Sequence, residues 1–185
     1  FQVMFGGDME QMDRLYPGLR EGLAGEASVE RTVYPDSGVG LLDVLAAGVG
    51  KRDDDFPYMD HVAQTTTEGV QADVRAAVDF LRHENDAIFT VGFCFGGRQS
   101  WLASASGHGL AGAIGFYGWP VGARGDIPAP ADSTGLMTGP VLGIFGGADR
   151  GIPPEAVETF RDALAATGLP HDVITYPAAP HSFFD

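Results

Sequence analysis

The chain has 185 residues, 44% of them hydrophobic and 19% charged, which is enough apolar material for one globular domain spanning 1–185 with a core of its own. Its 25 acidic and 11 basic side chains give a net charge of −14. That balance excludes nucleic acid and anionic membrane as expected partners, because both select a positive surface. No apolar run is long enough to span a bilayer. The single cysteine cannot form an intrachain disulfide, and with no charged leader or cleavage pattern visible the expected location is cytoplasmic.

The first fifty residues carry weak signals. Val3-Met4-Phe5 reads as a short strand stopped by Gly6-Gly7. Met12–Ala24 reads as a helix, with Leu15, Leu19 and Leu23 four apart, and Val29–Tyr34 as a second strand ended by Pro35-Asp36-Ser37-Gly38. By topology these pieces would fill the places of a first parallel strand, its helix and the next strand. Leu41–Ala47 is a short apolar piece, followed by the acidic stretch Lys51–Asp55. Asp53-Asp54-Asp55 with Asp60-His61 match no ligand spacing of a known metal site and are expected to form a solvated loop, so no metal is expected.

The pattern sharpens from Thr65. Thr65 with Glu68 forms a capping box, and Val70, Val74, Val78 and Leu81 make one apolar stripe of a helix running to about His83. Ile88–Phe93 reads as a buried strand and Gly97–Ser106 as a helix ended by Gly107. Ala113–Tyr117 is the next strand, followed by a long Gly/Pro-rich loop over Trp119–Gly139, a length that in compact domains often marks function. Val141–Phe145 is a strand, Pro154–Thr167 a helix with proline in its first turn and Gly168 at its end, and Val173–Tyr176 the last strand, with Pro177–His181 a loop. Strands and helices alternate. The expected architecture is therefore an α/β three-layer sandwich, a mostly parallel sheet with helices on both faces.

Between the strand and helix around position 94 stands Gly92-Phe93-Cys94-Phe95-Gly96-Gly97. Glycines on both sides of the cysteine let the backbone make a tight strand-to-helix turn, a nucleophile elbow with cysteine where serine is usual. The helix that follows turns free N–H groups and a positive dipole end toward the sulfur, which favours thiolate. In an open parallel sheet functional groups gather at the carboxyl ends of the strands. Cys94, Asp149 and His181 each follow such a strand, and their chain order of nucleophile, acid and histidine is the order of α/β-hydrolases. Histidine can take the thiol proton while a carboxylate fixes its tautomer. His61, His83, His108 and His171 have no comparable placement.

These residues, together with Gly146-Gly147-Ala148-Asp149 followed by Ile152-Pro153, and Tyr176-Pro177-Ala178-Ala179-Pro180-His181-Ser182-Phe183, resemble the dienelactone hydrolase family of the α/β-hydrolase fold over about residues 52–185. The resemblance implies a hydrolase of small esters or lactones that needs no cofactor, with Cys94 as nucleophile, His181 as general base and acid, and Asp149 as the orienting carboxylate. Members usually begin with an antiparallel hairpin, which this chain is expected to lack, and residues 1–50 do not resemble the family. In members, the loop after the first parallel strand supplies an oxyanion donor and a glutamate that helps control the thiol. Here that loop is Gly6-Gly7-Asp8-Met9-Glu10, so Gly7 or Asp8 stands as candidate second donor beside Phe95 N–H, and Asp8 or Glu10 as candidate for the acidic role.

Phe93, Phe95, Tyr117, Trp119 and Phe183 flank the expected site and suggest an apolar or aromatic acyl pocket, with Trp119 and Phe183 as candidate substrate contacts. Arg98, Arg124 and Arg150 could hold a substrate carboxylate, but are expected to be solvated surface charges. Thioesterase or peptidase-like acyl transfer and a non-catalytic hydrolase-fold protein binding a small ligand or partner remain open alternatives. Monomer and dimer are equally compatible with the sequence.

Overall fold

A computed structural model describes the backbone of Met4–Phe5 and the residues 65–83 and 86–184. The chain groups into two compact units, Phe1–Gly6 with Leu81–Asp185, and Gly7–Phe80. The helix expected over Met12–Ala24, the strand over Val29–Tyr34, the apolar piece Leu41–Ala47 and the acidic residues Asp53–Asp55, Asp60 and His61 lie outside the described residues.

In the first unit five strands form one sheet in the order β1 (Met4–Phe5), β2 (Phe89–Phe93), β3 (Gly112–Phe116), β4 (Val141–Gly146) and β5 (His171–Tyr176). The pairs β2–β3, β3–β4 and β4–β5 are parallel. β1 is antiparallel to β2, with Met4 opposite Val91 and Phe5 opposite Thr90. Val3–Phe5 is thus not a first parallel strand.

The sheet's core lies against α2 (Phe95–Ser104) and α3 (Pro154–Thr167). Trp101 is fully buried, and its ring lies 5.6 Å from that of Phe145 and 4.8 Å from that of Phe160. It covers Gly115 so closely that a Cβ there would overlap the indole. Its Nε1–H donates to the Leu142 carbonyl at 3.1 Å, so the buried polar end is satisfied. Val141, Val157 and Leu164 belong to the same cluster. Burying each such side chain contributes roughly 1.5–3 kcal/mol.

The end of α3 follows the sequence: Pro154 opens the helix, and Gly168 closes it in the left-handed region at φ 71°. In the second unit α1 (Thr67–Leu81) starts one residue later than the capping box predicts. Thr66 Oγ1, not Thr65, accepts the Gly69 N–H, at 3.1 Å, and Val74, Ala77 and Val78 are buried along the predicted stripe. The Trp119–Gly139 loop is not structureless. It contains a tight turn in which Arg124 and Ile127 exchange backbone hydrogen bonds, and a 3-10 helix over Ala131–Leu136.

Candidate active site

The elbow at Cys94 is built by a single residue. Cys94 stands at φ 54°, ψ −119°, conformations that L side chains rarely adopt, and α2 begins at the next residue rather than at Gly97. Its N–H donates to the Phe116 carbonyl at 2.9 Å and its carbonyl accepts the Arg98 N–H at 3.2 Å, so both neighbours of the turn hold it. The glycines serve close approach rather than turning: a Cβ on Gly92 would fall inside the Gly96 carbonyl group, and one on Gly97 would lie 2.6 Å from the Phe116 oxygen. Ser100 fastens the helix to β2, its hydroxyl 2.9 Å from the hydroxyl of buried Thr90. A strained turn clamped at both ends leaves the thiol exposed above the strand ends.

The two other residues arrive on loops that are zipped together. Gly147 N–H donates to Tyr176 O at 2.8 Å and Ala148 N–H to Ala179 O at 3.0 Å, tying the loop after β4 to the loop after β5. Glycine is required here, because a Cβ at Gly147 would lie 2.8 Å from Pro177 Cα. The zipped loops carry His181 onto Asp149, with Nδ1 2.6 Å from Oδ2. The Asp149 side chain is 1% exposed, whereas that of His181 is 41% exposed. The second Asp149 oxygen accepts the Gly151 N–H at 2.8 Å, which fixes the plane of the carboxylate. On its other side the imidazole Nε2 stands 3.4 Å from Cys94 Sγ. Two fixed ends thus hold one exposed ring between a buried carboxylate and an open thiol, an arrangement suited to moving a proton off sulfur.

Cys94, Asp149 and His181 therefore come together. Phe95 is the first residue of α2, in the turn where a helix offers its N–H groups no internal acceptor. Phe183 is half-buried, its ring 5.3 Å from that of Tyr117 and 5.7 Å from that of Tyr176. Tyr117, itself buried at φ 37°, packs its ring 5.0 Å from the His181 imidazole and supports it from the sheet side. Trp119 is exposed, two residues beyond Tyr117. Gly7, Asp8 and Glu10 lie outside the described residues. Among those described, no group of three or more His, Cys, Asp or Glu side chains is arranged to hold a metal ion.

Arg98 departs from its expected place. It is not a solvated surface charge but 3% exposed, and its guanidinium donates to backbone carbonyls of Trp119 (2.8 Å), Val121 (3.4 Å), Gly122 (2.8 Å), Ile127 (3.4 Å) and Pro128 (2.7 Å). Burial, with the nearby Arg124 charge adding to it, pushes its pKa below the ordinary arginine value. No residue type in the sequence marked this: every residue from Gly96 to Ser104 is buried, and the charge inside that helix is answered by backbone carbonyls of the Gly/Pro-rich loop. Arg124 and Arg150 are exposed, as expected.

A mostly parallel sheet whose cysteine-bearing turn leads straight into a buried helix, with Asp149 and His181 on the loops after two later strands, is that of an α/β-hydrolase-fold protein. The model of the dienelactone hydrolase family matches residues 33–185, and the chain belongs to that family. It is 37% identical over 127 residues to a Salmonella typhimurium protein named "Putative carboxymethylenebutenolidase", covering 66% of this chain and 47% of that protein. A Methylorubrum extorquens protein of the same name is 31% identical over 153 residues, covering 75% of this chain and 53% of that one. Among solved structures, the "Putative Dienelactone Hydrolase" of Klebsiella pneumoniae superposes with a TM-score of 0.64 at 31% identity, over 72% of this chain and 57% of the other. The chain spans about half the length of the curated relatives it matches.

Proposed function

We propose that this protein hydrolyses small carboxylic esters or lactones through an acyl-thioester on Cys94. The observation that carries this reading is the continuous line from Asp149 Oδ2 through His181 to Cys94 Sγ, at 2.6 and 3.4 Å, at the carboxyl ends of parallel strands. His181 Nε2 takes the thiol proton as sulfur attacks the carbonyl carbon. The tetrahedral oxyanion forms beside the Phe95 N–H at the start of α2, where the helix dipole favours negative charge. Collapse breaks the ester C–O bond, and the leaving oxygen takes the proton from His181. Water then attacks the thioester and gives a proton to His181, the C–S bond breaks to release the acid, and the departing thiolate takes that proton back. Asp149 keeps Nδ1 protonated throughout, so Nε2 is the atom that exchanges protons. Phe183, with Tyr117 beneath it, and Trp119 supply an apolar wall suited to an aromatic or alkyl acyl group. No step calls for a cofactor. The substrate is a small molecule.

The test is hydrolysis of p-nitrophenyl acetate, p-nitrophenyl butyrate and dihydrocoumarin by wild type and Cys94→Ala, with intact-mass detection of the acyl-enzyme. The expected result is turnover by wild type, an acyl adduct on Cys94, and no turnover by the variant. Undiminished turnover by Cys94→Ala would remove the cysteine from the mechanism. Ligand binding without hydrolysis by either protein would favour a non-catalytic role.

A further inference from the structure

Arg98 is the one buried charge of the elbow helix that the reaction as written does not use. Its five acceptors all belong to one segment, Trp119 through Pro128, and none is a carboxylate. A guanidinium fits this task because its planar fork presents donors in several directions at once, whereas an ammonium presents a single point. The carbonyls replace the water that burial removes from Nη1 and Nη2, Nε being buried without a partner among the described residues, and the segment is thereby gathered onto α2. Gly118 permits the approach: a Cβ there would lie 2.5 Å from Arg98 N.

The two ends of this link both lead to the site. At one end the Arg98 N–H closes the first helical turn on the Cys94 carbonyl at 3.2 Å. At the other, Trp119 follows Gly118 and Tyr117, and the Tyr117 ring rests against His181 at 5.0 Å. We propose that Arg98 is a positioning residue that fixes the Trp119–Pro128 loop as the acyl-binding wall of the site. It acts through Trp119 and the loop backbone, not on the thiol. The burial that depresses its pKa is in keeping with a charge retained for geometry rather than for solvation.

This inference rests on the ester or lactone hydrolase reading, and the experiment separates the two. Arg98→Lys and Arg98→Met are compared with wild type for p-nitrophenyl butyrate hydrolysis, for alkylation of Cys94 by iodoacetamide, and for acrylamide quenching of tryptophan emission. Trp101 is fully buried and Trp119 exposed, so the quenchable signal reports the loop. The expected result is a loss in kcat/KM of about 10²-fold, carried mainly by KM, since small misplacements remote from the chemistry have effects of that size. Alkylation, which needs the thiol and His181 but not the acyl wall, keeps its rate. Quenching of Trp119 changes.

Combining Arg98→Lys with Trp119→Ala gives a smaller loss than the product of the two single losses, as coupled residues do. If Arg98→Met does not fold, Arg98→Lys decides, because it keeps the charge and the aliphatic stem. Unchanged kcat/KM in folded Arg98→Lys would overturn the proposal, as would alkylation falling in step with hydrolysis, multiplicative single effects, or unaltered quenching. Wild type without esterase activity, or an active Cys94→Ala, would instead count against the hydrolase reading, while the quenching result still tests the link between Arg98 and the loop.

Discussion

The φ 54°, ψ −119° backbone of Cys94 leads to a stability prediction independent of any substrate. A residue with a Cβ held in such a sparsely populated region costs about 1–3 kcal/mol, and glycine escapes that cost. Replacing a residue by glycine also loosens the unfolded chain, at about 0.4–1 kcal/mol. Cys94→Ala and Cys94→Gly both remove the thiol and its 3.4 Å approach to His181, so their difference isolates the turn. Subtracting the two effects leaves Cys94→Gly more stable than Cys94→Ala by about 1 kcal/mol, a midpoint higher by about 2–4 °C for a domain of this size. The assay is thermal unfolding by circular dichroism at one scan rate, backed by urea titration, with both variants hydrolytically inactive. Equal midpoints, or a lower midpoint for the glycine variant, would refute the claim that the elbow stores strain to expose its side chain.

Other perturbations read the surroundings of that turn. Asp149→Asn should keep the fold and the Gly151 contact through its oxygen while turning its NH2 toward His181 Nδ1. That moves the imidazole proton to Nε2, and turnover should fall by about 10⁴-fold while the melting midpoint is largely kept. Gly92→Ala drives a methyl group into the Gly96 carbonyl, and should destabilise by about 1–3 kcal/mol or more, seen as lost soluble yield or a lowered midpoint along with lost esterase activity. Arg124→Gln removes the charge that, with burial, bears on Arg98, so the melting midpoint should rise, and rise more at low than at high ionic strength.

Local chemistry made the second half of the fold legible. Pro154 and Gly168 bracket α3 as read, and the apolar runs around β2, β3 and β4 fell within a residue of their observed ends. The errors share one cause, which is tertiary contact overriding local preference. Gly97 looked like a helix start because glycine usually punctuates, but its role is to let α2 touch the Phe116 carbonyl, so the helix opens at Phe95. Thr65 and Thr66 are equivalent in composition, and only the register of the buried stripe decides which one caps. Val3–Phe5 has the composition of a strand but nothing in it that sets direction, so its antiparallel pairing with β2 could not be read from it.

The site divides along the same line. That Cys94, Asp149 and His181 meet was readable because each lies on a loop following a parallel strand, and in a parallel sheet all such loops leave one edge regardless of the detail between them. Arg98 was unreadable because its partners are backbone carbonyls, and a carbonyl leaves no residue-type mark in a sequence. A buried charge answered by a carboxylate announces itself as a pair; one answered by five peptide groups looks like any exposed arginine until the loop is seen folded around it. The Trp119–Pro128 segment was suspected from its length and its glycine and proline content. Those same features leave its carbonyls outside helix and sheet, and so make it a segment that a single guanidinium can gather against the elbow.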